Sequence, residues 1–227
     1  MGCSQTGEEV NNNSNSPKKL GQYLEKNLCQ IKINDNGKFG LGYFCKLKYK
    51  NNDLYCLIAN NHVITEEISD IGFFEVTINN TIKTIDLNKK IFKNDEIDYI
   101  CLEVEKYEDI EFLEIDGNCY KEQKKVFDKK EVINASINQN QEIELKKGKL
   151  EYIDESKKFY FNFDGDVGFS EGPIILNNNF KIIGINCGYE EKLQKNIGIY
   201  IYDIIKDINK YNIIEGILDI KNNFLFK

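Results

Sequence analysis

The chain is broken into short apolar runs separated by Asn, Asp and Gly, and this rhythm limits the possible folds more than any other feature. Between Gly21 and Ile115 the runs are Cys29-Gln-Ile-Lys-Ile, Gly42-Tyr-Phe-Cys-Lys-Leu-Lys-Tyr, Leu54-Tyr-Cys-Leu-Ile-Ala, Phe74-Glu-Val-Thr-Ile, Thr81-Ile-Lys-Thr-Ile and Tyr99-Ile-Cys-Leu-Glu-Val. Several place apolar side chains at every second position, the period of a strand with one buried face. The pattern resumes after Ile115 with Lys149-Leu-Glu-Tyr-Ile, Phe159-Tyr-Phe-Asn-Phe, Pro173-Ile-Ile-Leu, Lys181-Ile-Ile-Gly-Ile and Ile197-Gly-Ile-Tyr-Ile. Many short strands joined by Asn/Gly turns predict barrels or a sandwich. The period changes near the C-terminus, where Ile204, Ile205, Ile208 and Tyr211 share one helical face, so an amphipathic helix is expected after the last strand.

The 227 residues divide into an Asn/Ser-rich leader over 1–20, two strand-rich lobes over 21–115 and 116–201, and a helix with tail over 202–227. The formal net charge of -7, with no Lys/Arg stripe, sets the protein's own field against a phosphate backbone, so no nucleic-acid partner is expected. The 7 cysteines are scattered without a Cys-x-x-Cys pair, so no metal site is expected. The start of the chain lacks the apolar core of a secretory signal, which points to the cytosol and free thiols. Lys, Asp or Asn interrupts every Ile-rich segment, so no membrane-spanning stretch is expected.

Met1-Gly-Cys-Ser-Gln-Thr6 has the pattern for N-myristoylation at Gly2, with Cys3 beside it as a palmitoyl site. One myristoyl chain holds a membrane only marginally, and an acidic domain offers no polybasic second signal. Attachment to the cytosolic face of a membrane would therefore need both acyl chains.

The single histidine, His62, follows an apolar run in Leu57-Ile-Ala-Asn-Asn-His-Val-Ile-Thr. Asp98 immediately precedes Tyr99-Ile-Cys-Leu, so its carboxylate stands at the edge of a buried strand, where it can accept an imidazole N–H. Ser170 lies in Gly168-Phe-Ser-Glu-Gly-Pro, and a glycine two residues before a serine lets successive backbone N–H groups converge on one point.

Together these segments resemble the trypsin-like (chymotrypsin-fold) serine peptidases over about Gly21 to Tyr211. Gly40-Leu-Gly-Tyr-Phe is similar to the family's Gly-x-Gly-aromatic strand, Asn60-Asn-His62-Val-Ile to its histidine segment, Asp98-Tyr-Ile-Cys-Leu to its aspartate strand and Gly168-Phe-Ser170-Glu-Gly-Pro to its nucleophile loop. Ile183-Gly-Ile-Asn is similar to the strand beside the substrate and Gly198-Ile-Tyr-Ile to the strand that closes the pocket. The resemblance implies an all-β fold of two antiparallel β-barrels packed together with a C-terminal α-helix. It implies an endopeptidase without cofactor acting on protein or peptide substrates, and a monomer is expected. His62, Asp98 and Ser170 would form the triad, and the N–H groups of Gly168 and Ser170 the oxyanion hole. Asp164, Gly188 and Gly198 would line the substrate pocket. Asp164 would favour Lys or Arg before the cut, with Asp166 as an alternative occupant after a small shift in alignment.

Two positions depart from the family. Phe169 stands where an acid or amide usually precedes the nucleophile, so activation by an N-terminal ion pair is not expected. Glu171 replaces the usual glycine after the nucleophile and brings a carboxylate close to the oxyanion pocket. A catalytically inactive module that binds peptides or protein partners in the cleft is therefore the alternative.

Overall fold

A computed structural model describes residues 17–32, 39–64, 72–122, 124–138, 140–153, 158–163 and 171–210. The first lobe contains β1 (Leu28–Lys32), β2 (Phe39–Tyr49), β3 (Asn52–Ala59), β4 (Phe73–Ile78), β5 (Thr81–Asp86), β6 (Ile91–Asn94), β7 (Tyr99–Glu103) and β8 (Leu113–Glu114). Its antiparallel order is β5-β4-β1-β2-β3-β7-β6, with β8 parallel to β2. Among the described residues β5 and β6 do not pair, so this lobe is a half-barrel. The second lobe is a closed barrel of order β10-β11-β14-β13-β12-β9, built from β9 (Glu131–Ile137), β10 (Ile143–Ile153), β11 (Lys158–Phe163), β12 (Pro173–Leu176), β13 (Ile182–Glu190) and β14 (Lys195–Tyr200).

The Asn residues that interrupt the apolar runs sit at tight turns. Tyr49 pairs with Asn52, and Ile78 with Thr81, each across two residues. Both central residues have positive φ in each case: Lys50 at 49° and Asn51 at 67°, Asn79 at 44° and Asn80 at 60°. These are the mirror-image turns whose twist suits a hairpin, and Asn tolerates them best after Gly.

Strands β2, β3 and β7 are apolar on both faces because both faces are covered. Phe44, Leu57, Ile100 and Leu102 fill the half-barrel together with Phe74, Val76 and Ile85. The alternate residues Tyr43, Cys45, Cys56, Ile58, Tyr99 and Cys101 join the core shared with the second barrel. The free thiols of Cys45 and Cys56, 3.5 Å apart on paired strands, are part of this seam.

Helix α2 (residues 201–210) follows β14 and buries Ile204, Ile205 and Ile208, as the change of period predicted. A short helix α1 (Pro17–Leu24) was not predicted. It begins inside the segment assigned to the leader and buries Leu20 and Leu24. Pro17 suits a first helical position because its missing N–H would have no intrahelical partner there.

Candidate active site

His62 stands where β3 runs out. The chain passes through Asn60, in extended conformation, into a single 3-10 turn over Asn61–Val63. Buried Val63 seats this turn against β2 at Gly40, where a Cβ would come within 2.3 Å of Val63 Cγ1. The first glycine of the Gly-Leu-Gly segment thus makes room for the histidine turn.

Asp98 closes the turn between β6 and β7 with φ of 48°, a left-handed conformation that Asp adopts more readily than most residues. Asp98 Oδ2 lies 2.8 Å from His62 Nδ1, and its Oδ1 accepts the His62 backbone N–H at 3.1 Å. Asn60 Nδ2 donates to Oδ2 at 3.1 Å. The neighbouring turn is tied to α2, since Tyr99 Oη and Asn94 Nδ2 both donate to Asp207 Oδ2 at 2.9 Å. The carboxylate is thus held on two sides of the histidine residue, ring and backbone.

The other ring nitrogen meets a second carboxylate. Glu171 Oε1 is 3.4 Å from His62 Nε2, a charge contact longer than a good hydrogen bond. Glu171 Oε2 accepts the Leu41 backbone N–H at 2.5 Å, joining positions 130 residues apart. Asn134 on β9 donates to the Glu171 carbonyl at 3.2 Å. Gly172 follows with φ of 105°, and a Cβ there would stand 2.3 Å from the Ala135 carbonyl, so only glycine fits without displacement.

Two carboxylates on one imidazole favour its charged form. The Asp98 hydrogen bond, then the Glu171 contact, outweigh partial burial and raise the His62 pKa from 6.5 to about 10. For Asp98, burial opposes ionisation, but hydrogen bonds from the His62 ring, the His62 N–H and Asn60 win and lower its pKa. Cys187 on β13 lies close by, and burial first, then the negative charge of Asp98, pushes its thiol up to about 12. Because the folded His62 pKa is raised, its stabilising contribution is complete below about 6.5 and lost as pH rises through about 10. With 1 histidine in the chain, NMR reads this directly: the imidazole signal should stay protonated through neutral pH and titrate in the alkaline range. A midpoint near 6.5 would show that neither carboxylate holds the ring in solution.

Of the residues selected from sequence, the structure brings His62 and Asp98 together. Asp164, Gly168 and Ser170, together with Asp166 and Phe169, lie outside the described residues, as do Gly2 and Cys3. Gly188 has φ of 130° and open space where a Cβ would be, at a bulge in β13 where Asn186 Oδ1 accepts its N–H at 3.2 Å. Gly198 lies over the Phe159 ring, which a Cβ would approach to 2.3 Å. Asn60 and the His62 contact of Glu171 were not identified as site features from sequence. An asparagine before the histidine turn was a visible signal for the first, whereas nothing local signals the second. Among the described residues no cluster of three or more His, Cys, Asp and Glu is arranged to hold a metal ion, and no helix is long and apolar enough to cross a membrane.

No protein-family model matches the chain, and no curated protein matches it in sequence. Its fold does match solved structures. A serine endoprotease from Yersinia pestis superposes with a TM-score of 0.61 at 13% identity, covering 86% of this chain and 67% of that one. Deg5 superposes with a TM-score of 0.59 at 16% identity, covering 83% of this chain and 90% of that one. Identities this low establish architecture alone: the half-barrel, the closed six-stranded barrel and the C-terminal helix make up a chymotrypsin-like two-barrel fold.

Proposed function

We propose that the protein is a serine endopeptidase in which Ser170 is the nucleophile, His62 the base and Asp98 the group that orients the imidazole. The observation that carries this reading is the His62–Asp98 pair, with Nδ1 engaged at 2.8 Å and Nε2 turned toward the chain neighbour of Ser170. In the reaction the ring acts in its neutral form, with Nε2 unprotonated: Ser170 Oγ attacks the peptide carbonyl carbon and its proton passes to His62 Nε2. The N–H groups of Gly168 and Ser170 receive the developing oxyanion, and His62 returns the proton to the departing amine. Water then repeats the sequence on the acyl-enzyme. Membrane attachment through acylated Gly2 and Cys3 belongs to the same proposal, and mass spectrometry of the native N-terminus reads it.

The second reading, a non-catalytic module that binds peptides in the cleft, is favoured by the Glu171 carboxylate facing Nε2. A fluorophosphonate probe separates the two. Covalent labelling that disappears in Ser170→Ala is the expected result, and no labelling over a range of pH would leave the binding module as the function.

A further inference from the structure

Glu171 faces the one ring nitrogen that a peptidase must keep free. Its side chain is 17% exposed and lies between the His62 ring and the Leu41 N–H, while Asn134 holds its own carbonyl. Among the described residues the charged groups facing His62 are Asp98, from the turn before β7, and Glu171, from the segment before β12.

We propose that Glu171 makes the site selective for peptides with Lys or Arg immediately after the cleaved bond. The inference rests on the peptidase reading. His62 Nε2 hands its proton to the departing amine, so the residue carrying that amine must come up against Nε2, where the Glu171 carboxylate now lies. The carboxylate has to withdraw for Ser170 to use the ring. A neutral side chain on the departing residue would leave a partly enclosed carboxylate without a cation, and an acidic one would repel it. A Lys or Arg side chain takes the place of the imidazolium as its partner. The substrate cation thereby draws Glu171 away, and the imidazolium releases its Nε2 proton to solvent water, leaving the neutral ring that takes the Ser170 proton. Selectivity and arming of the base become one event.

The test uses the full chain and a peptide mixture prepared from a proteome digest, with cleavage sites read by mass spectrometry. A matched peptide pair follows, carrying either Lys or acetyl-lysine directly after the cut. The unmutated protein should cleave the Lys peptide about ten- to a hundredfold more efficiently in kcat/KM, and Glu171→Gln should bring the ratio close to one. Glu171→Gln should also lower the titration midpoint of the His62 NMR signal, a readout independent of turnover. A ratio near one in the unmutated protein overturns the proposal, as does a Lys preference that survives in Glu171→Gln. The Lys/acetyl-lysine comparison needs no variant, so a poorly folded Glu171→Gln does not blunt it. Cleavage without the preference removes this inference alone, whereas absence of both cleavage and fluorophosphonate labelling removes the peptidase reading with it.

Discussion

If the proposed triad is at work, Ser170→Ala and His62→Ala should each reduce kcat by a factor on the order of 10⁴–10⁶, and the double variant should be no slower than either single one. Nucleophile and base act as a unit, so removing the second costs nothing once the first is gone. Asp98→Asn should cost about 10⁴, because an amide at this place no longer stabilises the imidazolium that forms as Ser170 is deprotonated. The amide oxygen can still accept the His62 backbone N–H, and Asn60 Nδ2 still reaches the backbone carbonyl of residue 98 at 3.4 Å, so that loss should appear in kcat with a smaller change in melting temperature. Glu171→Gly, by contrast, should leave activity equal or higher. A His62→Ala variant that keeps turnover within tenfold of the unmutated protein would rule out the triad.

The largest stability effects are expected inside the closed barrel, at Phe159. Its ring is fully buried and lies under two glycines, where a Cβ at Gly184 would stand 2.5 Å away and one at Gly198 2.3 Å away. Phe159→Ala removes the ring and leaves a cavity, a loss of about 3–5 kcal/mol out of a total stability of about 5–15 kcal/mol. Gly198→Val drives a branched side chain into the same ring and should cost about 1–3 kcal/mol or more by overpacking. The double variant should be less destabilised than the sum, since the valine enters space that the missing ring vacates. Urea denaturation of the four proteins measures this cycle, and strict additivity would mean that the glycine and the ring do not share that space.

Much of the architecture was legible in the sequence because strands and helices leave local periods. The alternation in Phe74-Glu-Val-Thr-Ile marks a half-buried strand, and Ile204, Ile205 and Ile208 mark the inward face of α2. His62 and Asp98 were legible as a pair because each lies at the end of an apolar run and the resemblance supplied the order. Helix α1 was not: among its described side chains only Leu20 and Leu24 are fully buried, and two residues four apart are too short a pattern to set against the polar tail before them.

The sequence by itself determined most of the strands, the final helix and the positions of His62 and Asp98 at the ends of apolar runs, since each depends on residues within a few positions of one another, whereas β6, β8 and β9 were not among the runs read from it. Tertiary structure alone decided that β5 and β6 remain unpaired among the described residues of the first lobe, that Asp207 anchors the turn carrying Asp98, and that Glu171 lies between the Leu41 N–H and His62. Those contacts join segments as much as 130 residues apart. Only the docking of one sheet on another brings such segments into register, and no local period records it.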